Sequence, residues 1–252
     1  MGMRCKLFLL LLMMVIFSCN KKSDIKSTTS VKDSLNQHFP EEDFEEDGSD
    51  VVTIKDLKFP STGKNIEDFV LEPCEIKMKA EGFLNDDELK DIVIVLQNEN
   101  DSQDSRAVLV LLKQETGEYK LQDVSWEALD PEYTENGYQV YTSEEISIEN
   151  KILHIMLQSG GGPPGTRETL YKYVNNDFVL IEMHTFSAGA GAHMVSDYNL
   201  MTGVVEHEVT NTLNDSIPAK NEIKKFELKR QMLFAKDNPN TVLEDLPGSE
   251  NF

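Results

Sequence analysis

Downstream of Val51 the apolar residues come in short runs closed by turn-forming residues: Ile92–Leu96, Ala107–Leu112, Ile152–Leu157 and Phe178–Met183 stand out. Runs this short suit strands, whereas an amphipathic helix needs about ten residues or more. Weaker candidates are Val51–Leu57, Glu75–Lys79, Tyr119–Val124, Glu145–Ile148, Thr169–Val174, Tyr198–Val205 and a last strand over Phe226–Phe234. Tight connections are expected at Glu115-Thr116-Gly117, Glu149-Asn150-Lys151, Asn175-Asn176-Asp177 and Met201-Thr202-Gly203. A helical turn or two is expected near Asn65–Val70, where Glu67 and Asp68 suit a helix start. The pattern specifies a mainly β chain: a single antiparallel β-meander or sandwich-like domain over residues 51–236 with few short helices, followed by a tail over 237–252.

The N-terminus has a different logic. Arg4 and Lys6 precede an apolar run from Leu7 to Phe17, then Ser18 and Cys19. Those eleven residues fall short of the roughly 20 needed to span a bilayer as a helix, and the order of parts is that of a signal peptide. Ile16-Phe17-Ser18-Cys19 resembles the lipobox of bacterial lipoproteins, with Phe17 larger than the pattern prefers. The resemblance implies cleavage after Ser18, removing residues 1–18, and acylation of Cys19 by chains such as palmitate. Each buried methylene would contribute about 0.8 kcal/mol to membrane affinity. Residues 19–50 then read as the lipidated cysteine and a disordered acidic tether ending in Glu41-Glu42-Asp43-Phe44-Glu45-Glu46-Asp47.

The formal charge of −21 becomes −23 for a chain cut after Ser18, because Arg4 and Lys6 leave with the signal. Nucleic acid is excluded as a partner on that charge, and the membrane is expected to be held through acyl chains rather than anionic headgroups. Cys5 would leave with the signal and Cys19 would carry lipid, so Cys74 stands alone at a strand entrance and no internal disulfide is expected.

Gly82-Phe83-Leu84-Asn85-Asp86-Asp87-Glu88-Leu89-Lys90-Asp91, followed by Ile92-Val93-Ile94-Val95-Leu96, is similar to the calcium-loop-plus-strand unit of FG-GAP and VCBS repeats. Asn85, Asp87 and Asp91 keep the ligand places, whereas Phe83 replaces the first carboxylate and Glu88 the turning glycine. The resemblance implies a calcium site at Asn85, Asp87 and Asp91 or a polar turn that has lost the ion. It continues, through Glu67-Asp68-Phe69-Val70, Ser159-Gly160-Gly161-Gly162, Tyr171-Lys172-Tyr173, Asp177-Phe178-Val179-Leu180-Ile181 and Tyr198-Asn199-Leu200-Met201-Thr202-Gly203, to a family of uncharacterised bacterial secreted proteins with one such unit. It implies a fold and no reaction, and a propeller would need several units.

Ser159-Gly160-Gly161-Gly162-Pro163-Pro164-Gly165-Thr166-Arg167 lacks the Lys-Ser/Thr pair of a phosphate loop. Gly160, Gly161, Gly162 and Arg167 form a candidate ligand loop, with Arg167 to meet an anion; a plain strand connection is the simpler alternative. Phe186–His193 reads as a second small-residue loop, and Ser187, His193 and the nearby Asp197 lie close enough in sequence to suggest a hydrolytic triad, without the G-x-S-x-G elbow. His154 and His184 suit strand positions, and no H-x-x-x-H pair supports zinc.

The expected function is that of a lipid-anchored cell-envelope protein, a non-enzymatic binding or structural module with an envelope protein or glycan as partner. The alternatives are an envelope hydrolase acting on sugar or peptide, and a calcium-dependent adhesion or stability module. Lys21 and Lys22 do not resemble acidic surface-export signals, so a periplasm-facing position on the outer membrane is expected.

Overall fold

The computed structural model describes residues 53–159 and 165–248, all within the compact unit Ser49–Phe252. Cys19, the tether and Gly160–Gly162 lie outside the described residues. The described chain is mainly β, as its pattern of short apolar runs requires, and forms two antiparallel sheets. The smaller contains β1 (Thr62–Gly63), β2 (Cys74–Gly82), β3 (Asp91–Asn98), β4 (Ala107–Lys113) and β5 (Tyr119–Ser125), in the order β1-β5-β4-β3-β2. The larger is an unbroken meander of β6 (Tyr141–Glu149), β7 (Ile152–Ser159), β8 (Gly165–Val174), β9 (Asp177–Gly189), β10 (Ala192–Asn199), β11 (Val204–Asn211) and β12 (Lys220–Lys225).

Three hairpins close with two-residue turns whose central residues both have positive φ: Asn150-Lys151, Asn175-Asn176 and Ala190-Gly191. That geometry matches the twist of antiparallel strands, and asparagine tolerates it better than most residues. The Asn65–Val70 expectation is met by a single 3-10 turn, Ile66–Phe69, in which Asn65 and Asp68 cap each other's backbone.

The continuous apolar runs of β3 and β4 have a simple cause: both faces are buried. Val93, Val95, Val108 and Val110 face the larger sheet, against Leu153, Ile155, Tyr171, Leu180 and Met183. Ile92, Ile94, Leu109 and Leu111 face the other way, under Ile54, Leu57, Phe59, Ile66 and Phe69. Each such side chain contributes about 1.5–3 kcal/mol by leaving water. The sheets approach closely where β2 meets β6, because a Cβ on Gly82 would lie 2.6 Å from Ile148 Cγ2.

Four expectations are corrected. In the Val51–Leu57 candidate strand, the described part holds a 3-10 turn, Ile54–Asp56, because buried Ile54 plugs the back of the small sheet while its N–H donates to Asp104 Oδ2 at 2.9 Å. Phe186–His193 is a hairpin rather than a loop: β9 runs to Gly189 and β10 starts at Ala192. The last strand, β13, covers only Met232–Leu233; it pairs with Leu180 and Val179, a stretch of β9 that β10, joined only from Glu182 onward, leaves open. The segment read as a tail carries helix α1, Pro239–Glu244, whose N-cap Asn238 accepts from Asn240 N–H and from which Val242, with Leu246 just beyond, joins the main core. Strand β12 gave no sequence signal; it is a polar, largely exposed edge strand held to β11 through its backbone.

Candidate functional site

Register across the larger sheet places Leu157, Arg167, Thr185 and Ser196 side by side on β7, β8, β9 and β10. Alternation puts this row on the inward face, in line with the core residues Leu153 and Ile155 of β7 and Tyr171 of β8. Past the row the face leaves the packed core and opens into a cavity of about 530 Å³, walled by Leu157, Met194 and Leu243, with Tyr141 and Asn240 at its side. Most of the wall is apolar, and Ser159, Thr185 and Ser187 supply hydroxyls.

Arg167 is the one ionised side chain among the described residues of that lining. It is 8 % exposed, and its Nε is buried without a hydrogen-bond partner among the described residues. No carboxylate among them forms an ion pair with it. Asp130, on the same side, is engaged elsewhere: it accepts from the Tyr141 hydroxyl, and from Asn240 Nδ2 at 3.0 and 3.2 Å. Burial pushes the Tyr141 phenol up to about 12, with Arg167 opposing the rise and Asp130 adding to it, so Tyr141 stays a neutral donor. Ser187 Oγ is a second buried polar atom on the wall with no partner among the described residues.

The other buried arginine shows what a satisfied one looks like. Arg106, 1 % exposed, makes a bidentate pair with Glu144 at 2.6 and 2.7 Å, and its Nε donates to the Asp130 carbonyl at 2.6 Å. An unpaired buried charge is costly, and the usual remedy is an opposite charge with hydrogen bonds. At Arg167 the described residues do not supply it.

The Asn85, Asp87 and Asp91 loop does come together ahead of β3, but its oxygens are in use. Asn85 Oδ1 accepts from Asp87 N–H, Asp87 Oδ1 from Leu89 N–H and Oδ2 from Asn85 Nδ2, all at 2.8–2.9 Å. Asp91 is fully buried and accepts from Leu84 N–H at 2.9 Å and Lys113 N–H at 3.0 Å. Burial raises its pKa, and those backbone bonds oppose the rise. Each of these side-chain oxygens holds an N–H donor, which fits a self-closed turn and does not fit a cation without displacing them.

No family model, no curated protein and no solved structure matches the chain.

The suggested triad is not assembled. Ser187 pairs with Met194 and faces the cavity, whereas His193 pairs with Ala188 one position along and alternates to the opposite face, where its ring meets Phe186 at 5.4 Å. Asp197 instead holds His184 Nδ1 at 2.6 Å, and His154 is held by Glu168 at 2.7 Å. Arg167 was visible beforehand as a basic residue after a glycine-rich segment. Ser187 is singled out by the sequence only for a triad, Thr185 and Met194 flank the small-residue segment and carry no signal of their own, and Asn240 and Leu243 fall in the segment expected to be a tail. For the latter a signal existed: Asn238-Pro239 is an N-cap followed by proline at the first helical position, with Val242 and Leu246 four apart.

Proposed function

We propose that this chain is a lipid-anchored binding module of the bacterial cell envelope, which holds a small ligand in the cavity walled by Arg167, Ser187 and Met194. The observation that carries the reading is Arg167 itself: a nine-tenths-buried cation without a carboxylate partner among the described residues, beside an apolar cavity of about 530 Å³. Ligand sites are mostly apolar hollows of about 300–1,000 Å³ with a few placed polar groups. The anchoring half of the proposal rests on Ile16-Phe17-Ser18-Cys19.

Two experiments test the halves separately. Metabolic labelling with an alkynyl palmitate should tag the chain and leave Cys19→Ala untagged; equal labelling of both would refute the anchor. The chain Asn20–Phe252, which contains every described residue, should bind the neutral dye Nile red saturably, and Met194→Trp, which fills the cavity, should abolish it. Undiminished binding by that variant would refute the pocket.

A further inference from the structure

We infer that the cavity takes a monoanionic aliphatic acid, its carboxylate on Arg167 and its chain along Leu157, Met194 and Leu243. The inference rests on the reading of this cavity as a ligand site and adds the ligand's chemistry.

The described residues of the lining include one ionised group, which balances one opposite charge. A guanidinium offers a planar fork of N–H donors that a carboxylate matches with two parallel bonds. Arg167 is 8 % exposed and its Nε has no partner among the described residues, so most of the guanidinium's cost of leaving water has been met on folding. The Ser187 hydroxyl, also buried without a partner among the described residues, belongs to the same lining.

Other ligand classes fit worse. A polyphosphate needs several cations or a nest of backbone N–H groups, and the described lining residues include a single arginine in a chain of formal charge −21. A sugar needs many polar partners, whereas Leu157, Met194 and Leu243 make the wall mostly apolar. A cation would meet Arg167 with no carboxylate among the described lining residues to offset it. A peptide C-terminus brings backbone N–H and C=O groups that this wall has few partners for; Asn240 Nδ2 is already held by Asp130.

The test is calorimetric titration of the chain Asn20–Phe252 with decanoate, decan-1-ol, decyltrimethylammonium and an N-acetylated tripeptide ending in leucine. Decanoate should bind roughly 10- to 100-fold more tightly than decanol, the range expected for a charge-assisted hydrogen bond. Arg167→Met should bring that ratio to about one while Nile red binding persists, and Arg167→Lys, keeping the charge, should restore part of it. Nile red binding without preference for decanoate over decanol overturns the acid while leaving the pocket. Tighter binding of the tripeptide or the ammonium also overturns it. Loss of Nile red and decanoate binding alike in the native chain overturns the pocket reading beneath it.

Discussion

Removing the partner of Arg106 should cost this fold more than almost any other single change of equal size. In Glu144→Gln the side chain keeps its shape but loses its charge, leaving an arginine that is 1 % exposed with only the Asp130 carbonyl and one amide oxygen to receive it. Breaking a buried pair from one side costs about 3–5 kcal/mol, since the remaining charge stays buried and uncompensated. Glu144 is 18 % exposed, so water reaches the site and the cost belongs at the lower end, about 3 kcal/mol. A domain of this size moves roughly 2–4 °C in Tm for each kcal/mol, which gives a fall of roughly 6–12 °C. The assay is thermal unfolding followed by far-ultraviolet circular dichroism, beside urea titration. Arg167→Met, measured in parallel without ligand, should leave Tm unchanged or raise it, because no carboxylate among the described residues is orphaned and a buried charge is removed. A loss below about 1 kcal/mol in Glu144→Gln, or an equal loss in Arg167→Met, would refute the distinction between the two arginines.

Three further outcomes follow from single groups. Burial, reinforced by Asp177, raises the Asp123 carboxyl to about 6. A carboxyl raised on folding adds stability below its unfolded pKa and loses it as pH rises through its folded value, here about 6. Asp123→Asn should therefore be more stable than the native chain at about pH 8 and lose that advantage by about pH 4, a sign that parallel urea melts check. Burial also raises the Cys74 thiol to about 11, with Asp104 and Glu72 adding to the rise. It should resist a thiol reagent at about pH 8 until urea unfolds the chain, and fast labelling in native buffer would contradict its burial. Because N–H groups already hold the oxygens of Asn85, Asp87 and Asp91, excess calcium and chelator should give the same Tm; a calcium-dependent rise of several degrees would mean the ion displaces those donors.

Much of the architecture was legible because its signals are local. Asn150-Lys151 and Asn175-Asn176 mark hairpins by the chemistry of positive φ, and the doubly buried β3 and β4 announce themselves as unbroken apolar runs. The site was less legible, because face assignment depends on a register shift. Opposite Leu170 and Tyr171 of β8, strand β9 carries an extra residue, Ile181, so the inward residues change from Phe178 and Leu180 to Met183, Thr185 and Ser187. Strict alternation from Phe178 would send Ser187 outward and His184 and Phe186 inward.

The sequence by itself determined the β class, the main hairpins and the presence of Arg167 beyond a glycine-rich segment, since each depends on neighbours within a few residues. Only the tertiary structure decided which arginine is satisfied. Glu144 lies 38 residues from Arg106 and reaches it by the packing of one sheet on the other, whereas Arg167 meets a wall built from β7, β9, β10 and α1 whose described lining residues include no carboxylate. Charge pairing at that range is set by which strands the sheets place face to face, and no local pattern encodes it.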